Sequence, residues 1–208
     1  MKIYLGIDIG WVNLAFVKIV VNTDTHVIIN ISEAFCVDLN SLSHQKVSLK
    51  DCKLEHSNDA YDKIQHMLQE YKDKFEDVDR VFIERQPIMG MTNIEQLLFG
   101  HFRIKATLVS PNAMHKFFKI NKFDYETRKS ITTKIADPFL KKCLDWTSRD
   151  RLHDMGDAFC LLIYSLSKEK IEFTKQQNIT NQQQCPDQTP DQTENIRLNY
   201  FNQFKFNK

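Results

Sequence analysis

Residues 1–17 read MKIYLGIDIGWVNLAFV, and the alternation within them points to the fold. From Lys2 to Ile9, Ile3, Leu5 and Ile7 fall on one face of an extended chain and Tyr4, Gly6 and Asp8 on the other. The stretch reads as a strand, a tight turn from Gly10 to Asn13, and a second strand from Leu14 to Val21. Asp8 thus sits within an apolar strand, where an ionised carboxylate is costly unless it is paired or holds a metal. Gly6 and Gly10 flank it without side chains and are expected to leave space for a metal or phosphate. An acid that merely shapes the turn would give the same pattern, so both readings stand on this segment.

Downstream, Thr25 to Val37 is rich in β-branched and aromatic residues and reads as a third strand, antiparallel to the second. Leu39 to Asn58 reads as loop. Ala60 to Phe75 has apolar residues at three- and four-residue spacing and predicts a helix capped by Asn58 or Asp59. Asp79 to Glu84 is a short buried strand ending in an acid, and Pro87 stops it. Thr92 is expected to cap a helix over Asn93 to Arg103, in which His101 is structural. Lys105 to Ser110 predicts a fifth strand, and Pro111 opens a short helix through Phe118. A basic helical region from Asp124 to Cys143 is expected to break near Pro138, and Asp150 to Lys168 is the clearest helix. The order predicts an α/β fold: a five-stranded mixed sheet, its first three strands antiparallel, flanked by helices.

Among 208 residues the composition supports one domain over 1–170. Gln176 to Asn195 is almost wholly Gln, Asn, Thr, Asp and Pro, so 171–208 reads as a polar, disordered linker with a short aromatic and basic tail whose partner is left open. No apolar run reaches the roughly 18 residues of a membrane span, and Asp8 interrupts the opening too early for a signal peptide. Five cysteines without a CxxC pair fit reduced thiols in an intracellular chain, not a disulfide framework or zinc site. From His101 to Arg151, twelve Lys and Arg stand against five acids, a net +7 in a chain of net +1. That segment suits a polyanion, although solvated helix faces would show the same bias.

Four acids arrive at element ends. Asp8 closes the first strand and Glu84 the fourth, with Arg85 and Gln86 directly after it. Asp154 and Asp157 lie one turn apart on the last helix, with Gly156 between them removing bulk. Two carboxylates at this spacing repel each other unless a cation intervenes. Asp154 alone could be a helix-start acid. As hard oxygen ligands the four suit two Mg²⁺ ions, or Mn²⁺, roughly 4 Å apart, the arrangement used for phosphodiester hydrolysis.

The ordered series DIGWVNLA (Asp8 to Ala15), FIERQP (Phe82 to Pro87), VSP (Val109 to Pro111), RKS (Arg128 to Ser130) and LHDMGDAF (Leu152 to Phe159) resembles the poxvirus branch of the RuvC-like Holliday junction resolvases, related also to mitochondrial resolvases. The resemblance spans about Met1 to Lys168. It implies an RNase H-like fold, a homodimer, Mg²⁺ dependence and paired nicking of four-way DNA junctions. Catalytic metal ligands would be Asp8, Glu84, Asp154 and Asp157. Nucleic-acid contacts would come from Asn13, Arg85, Gln86, Arg128, Lys129 and Lys134. His153 stands where poxvirus relatives often carry another acid, and the Gln-rich extension has no counterpart. Such a chain would work in the host cytoplasm if viral, and in an organelle or nucleus otherwise. An RNase H-like enzyme acting on RNA or a hybrid, and a non-catalytic junction-binding protein, are the alternatives. An actin-like ATPase would need more glycine-rich phosphate loops than five glycines provide.

Overall fold

The computed structural model describes residues 1–10, 13–40, 59–143 and 152–173. The alternation of the opening stretch becomes β1 (Lys2–Ile9) and β2 (Asn13–Asn22), antiparallel with Asp8 opposite Ala15. β3 (Val27–Asp38) continues the meander beyond β2. On the other side of β1 lies β4 (Arg80–Glu84), parallel to it, and then β5 (Ala106–Val109), parallel to β4. The sheet order is β5-β4-β1-β2-β3-β6. The five expected strands are present, and the first three are antiparallel.

The sixth strand, β6 (Glu172–Phe173), was not expected, since the linker was placed from 171 onward. Ile171 is buried in the core and delivers the next two residues to Val27 and Ile28 on the open edge of β3, where unpaired backbone groups accept them. The remainder of the expected linker and tail, most of the expected loop at 39–58, and the turn positions 11 and 12 lie outside the described residues.

The period-two pattern divides the core into two layers. Ile3, Leu5, Ile7 and Ile9 join Phe16, Phe35 and Ile83 on one side, under α1 (Ala60–Glu70), α2 (Lys72–Phe75) and α3 (Thr92–His101). Tyr4, Ala15, Val17 and Phe82 face the other side, under α4 (Pro111–Phe117), α5 (Tyr125–Leu140) and α6 (Leu152–Lys168). α6 is buried along most of its length because it is clamped between the sheet and α5.

Three expectations are corrected. The helix foreseen from Ala60 to Phe75 is interrupted at Tyr71, whose ring stacks on Phe35 at 5.8 Å while Phe75 packs tilted against Phe16 at 5.4 Å. Aromatic packing against the sheet overrides helical continuity there. Thr92 is the first residue of α3, and Met91 holds the cap position. Pro138 does not break α5, which runs on to Leu140. Proline removes one hydrogen bond near the helix end, while Ala136 and Leu140 are fully buried on either side of it.

The approach to β4 is pinned from both sides. Lys18, buried in β2, donates to Asp77 Oδ1 at 2.6 Å and to the Lys74 carbonyl at 3.1 Å, and Ile3 N–H donates to Asp79 Oδ2 at 2.8 Å. Among the described residues no helix is long and apolar enough to cross a membrane.

Candidate active site

Parallel pairing puts two acids side by side. Ile7 is aligned with Ile83 in the β1–β4 ladder, so the next residues, Asp8 and Glu84, end adjacent strands on the same edge of the sheet. Asp8 is 7% exposed and shares a side-chain hydrogen bond with Glu84. Burial raises the Asp8 carboxyl well above its usual range, the Glu84 and Asp157 charges push it further, and Lys129 opposes them. Burial raises Glu84 as well, while bonds from Asp8, the Ile9 N–H and the Gln86 amide hold it down. In the bond between them Asp8 is the donor and Glu84 the acceptor.

The turn after Glu84 is held by its own side chains. Gln86 Nε2 donates to Glu84 Oε2 at 2.8 Å, and Gln86 Oε1 accepts from Met91 N–H at 3.3 Å. Ile9 N–H donates to the same Glu84 oxygen at 3.3 Å. Glu95 closes the turn from α3: only 4% exposed, it accepts the Gln86 backbone N–H at 2.5 Å. Gln86, expected to touch nucleic acid, thus orients Glu84. Glu95 carried no signal in the sequence, because an acid in the first turn of a helix ordinarily answers only the helix dipole.

From the opposite side α6 presents Asp154 and Asp157. Lys129, projecting from α5, places Nζ at 2.5 Å from Asp157 Oδ2 and 3.4 Å from Asp154 Oδ1. Burial depresses the ammonium, but Asp157, Asp8 and Asp154 together outweigh it and raise its pKa far beyond the ordinary lysine range. Lys129 therefore lies inside the acid cluster. The i, i+3 acids do need a cation between them, and here that cation is an ammonium. His153 Nε2 lies 3.2 Å from Asp154 Oδ1, at the rim of the same cluster.

Two glycines allow this convergence by a route different from the one expected. A Cβ on Gly6 would stand 2.7 Å from the Ala158 carbonyl and 2.8 Å from Leu162 Cβ. A Cβ on Gly156 would meet the Thr132 and Thr133 backbone at 3.0 to 3.1 Å. Gly6 therefore opens no space for a phosphate. Gly6 lets α6 lie directly on β1, and Gly156 lets α5 lie directly on α6.

The remaining expected contacts are dispersed. Arg85 is exposed beside the acids, and Asn13 opens β2 with its carbonyl bonded to Gly10 N–H at 3.0 Å. Arg128 Nη1 donates to the Phe123 carbonyl at 2.6 Å, and Lys134 is exposed more than a turn further along α5. His115, on α4, was missed. It is lowered by burial and by Arg128 and Lys129, with Asp157 opposing, which places it among the charges around the site. His101 is exposed and meets Phe102 edge-on at 4.7 Å. A cavity of about 760 Å³ bounded by Leu68, Phe75, Phe102 and Arg103 shares no residue with the acids.

The donor set fits a hard divalent cation: it is all oxygen and largely buried. As the side chains stand, no three His, Cys, Asp or Glu groups among the described residues are disposed to hold one ion. Lys129 fills the gap on the α6 side, and the hydrogen bond between Asp8 and Glu84 joins the strand acids on the other.

No protein-family model matches the chain, and no curated protein matches it. Solved structures do. The fowlpox virus resolvase in complex with its Holliday junction substrate aligns over 81% of this chain and 99% of that one, at 16% identity and a TM-score of 0.58. The fold is that of the fowlpox virus resolvase. The fowlpox virus Holliday junction resolvase in a further crystal structure aligns over 80% and 99%, at 14% identity and a TM-score of 0.57. The yeast mitochondrial Holliday junction resolvase aligns over 86% of this chain and 85% of that one, at 16% identity and a TM-score of 0.51.

Proposed function

We propose that this chain is a structure-selective DNA endonuclease that resolves four-way junctions by phosphodiester hydrolysis, acting as a homodimer that nicks two strands. The observation that carries the reading is the gathering of Asp8, Glu84, Asp154 and Asp157 around Lys129, from two adjacent strand ends and one helix, on the fold of the junction resolvases.

The four carboxylates would hold Mg²⁺ or Mn²⁺, two ions per site, and such ions when bound supply activation of a water and stabilisation of the leaving 3′ oxygen. The protein's own groups do the rest. Gln86 and the Ile9 N–H fix the Glu84 carboxylate, and Glu95 fixes Gln86, so the strand-end acid keeps one orientation. Loss of the Asp8 proton makes both strand acids available as ligands. Lys129, once released from Asp157, brings a positive charge to the phosphate being cut. Arg85 and Arg128, together with Asn13 and Lys134, supply phosphate contacts around the site. A junction is chemically ordinary DNA, so selection rests on shape, and a two-fold dimer would present two sites to two strands.

The test is cleavage of a four-way junction, a plain duplex and an RNA–DNA hybrid of matched sequence, with and without Mg²⁺. Metal-dependent paired nicks on the junction are expected, with at most weak cutting of the other two. Preferential cutting of the hybrid would replace this reading with an RNase H-like one, and binding without cleavage in the wild-type chain would make it a junction-binding protein.

A further inference from the structure

Two large rings stand in solvent where α5 begins: Phe123 is 42% exposed and Tyr125 56%. The backbone under them is fixed. Asp124, at the cap, accepts from Thr127 N–H at 2.9 Å and from Thr127 Oγ1 at 2.8 Å, and Arg128 holds the Phe123 carbonyl. Phe123 N–H donates in turn to the Ile120 carbonyl at 3.2 Å. The rings are thus presented on a rigid cap.

Their neighbours and their position indicate what covers them. Exposed Lys119 and Lys122 precede the rings and Arg128 follows, against the exposed acids Asp124 and Glu126, of which Asp124 is engaged by Thr127, so the setting stays net positive and suits a polyanion. The Tyr125 ring centre lies 5.5 Å from Lys129 Nζ, which lies 2.5 Å from Asp157 Oδ2, so ring and carboxylate are within about 8 Å of each other. One nucleotide covers that span. Bases in an intact duplex offer no free face, whereas those at a branch point do, and aromatic side chains stack on such faces without regard to sequence.

We infer that Tyr125, with Phe123 beside it, stacks on a base flanking the phosphate to be cut once that base is unstacked at the branch point, and so helps to choose the bond that is hydrolysed. The inference rests on the nuclease reading above and extends it to a specificity surface that none of the acids provides.

The experiment crosses protein variants with substrate variants. Cut sites on a four-way junction are first mapped with the wild-type chain in Mg²⁺. Affinity is then measured without divalent metal for wild type, Tyr125→Ala, Tyr125→Leu and Tyr125→Phe, on the intact junction and on one with an abasic residue beside the cut. Tyr125→Ala and Tyr125→Leu should bind the intact junction roughly 5- to 100-fold more weakly and cut at more scattered positions, while Tyr125→Phe stays within about threefold of wild type. The abasic junction should weaken wild type by a similar factor and the Ala and Leu variants no further.

Losses that add, or an Ala variant that binds and cuts the intact junction as wild type does, would overturn the inference. Alanine at the first helical position is a good helix former, and the leucine variant keeps apolar bulk, so matched melting temperatures separate stacking from loss of fold. A wild-type chain that cuts no DNA is a different outcome, because it removes the nuclease reading before any variant is made.

Discussion

Asp8 concentrates the tension of the site. Its carboxyl is raised by burial and by neighbouring acids, so the folded state takes up a proton that the unfolded chain would release. The stability tied to it is full below the ordinary carboxylate range near pH 4 and is lost as pH rises through the higher folded value; Glu84 adds in the same direction. Without divalent metal the protein should therefore lose stability as pH climbs from the acid range toward neutrality, and Mg²⁺ should restore it. Asp8→Asn should abolish cleavage and, at neutral pH without metal, raise stability by roughly 0.5 to 2 kcal/mol in urea melts. A variant that loses stability there would contradict the donor role of Asp8. Lys129 has the same sign in a higher range: its raised pKa means that its contribution is lost only as pH rises above the ordinary lysine range. Lys129→Met leaves Asp154 and Asp157 facing each other and should cost about 3 to 5 kcal/mol without metal, with much of the loss recovered on adding Mn²⁺. Recovery of stability without recovery of cleavage would show that the ammonium acts in the reaction as well as in the fold.

At the scale of elements, the site depends on how closely α6 approaches β1 and α5. Gly6→Ala pushes a methyl into the Ala158 carbonyl and Leu162, backbone and branched core atoms with little room to move. A loss of about 1 to 3 kcal/mol is expected, read as a lower melting temperature, with cleavage falling because Asp154 and Asp157 move away from Asp8. Unchanged stability would mean that α6 is free to shift on the sheet. The element order was legible in the sequence because period-two alternation in β1 and the apolar run of α6 each reflect burial by a neighbouring layer. The breaks were not. Tyr71 interrupts a helix through its contact with Phe35, and Pro138 fails to interrupt one because Ala136 and Leu140 are buried around it. In the first case the deciding partner lies far away in sequence, and in the second the burial comes from core packing that local spacing does not show. Gly6 was misread for the same reason: a glycine beside an acid looks like open space until a helix is found lying on it.

At the scale of the molecule, the described part of the positive segment, from His101 to Cys143, spreads over β5, α4 and α5, next to the acids. Junction affinity should fall steeply with salt, by roughly 0.9 log units per log unit of salt for each phosphate contact. A slope near zero in filter-binding or anisotropy titrations would remove the basic segment from the interface. A chain ending after Phe173 keeps the β6 pairing with β3 and should retain its melting behaviour and junction cleavage; a further cut before Ile171 should destabilise it, because that residue fills the core. Circular dichroism melts and cleavage gels on the two truncations distinguish these outcomes.

The sequence by itself determined the α/β order, the antiparallel opening meander, and the four acids as a set, because each of these follows from local periodicity or from a charge placed where burial makes it costly. Tertiary structure alone decided that Asp8 and Glu84 share a hydrogen bond, that Gln86 and Glu95 brace Glu84, and that Lys129 lies among the acids. Those pairings join residues tens of positions apart, and only the parallel register of β1 with β4 and the close packing of α5 on α6 bring their side chains within bonding distance.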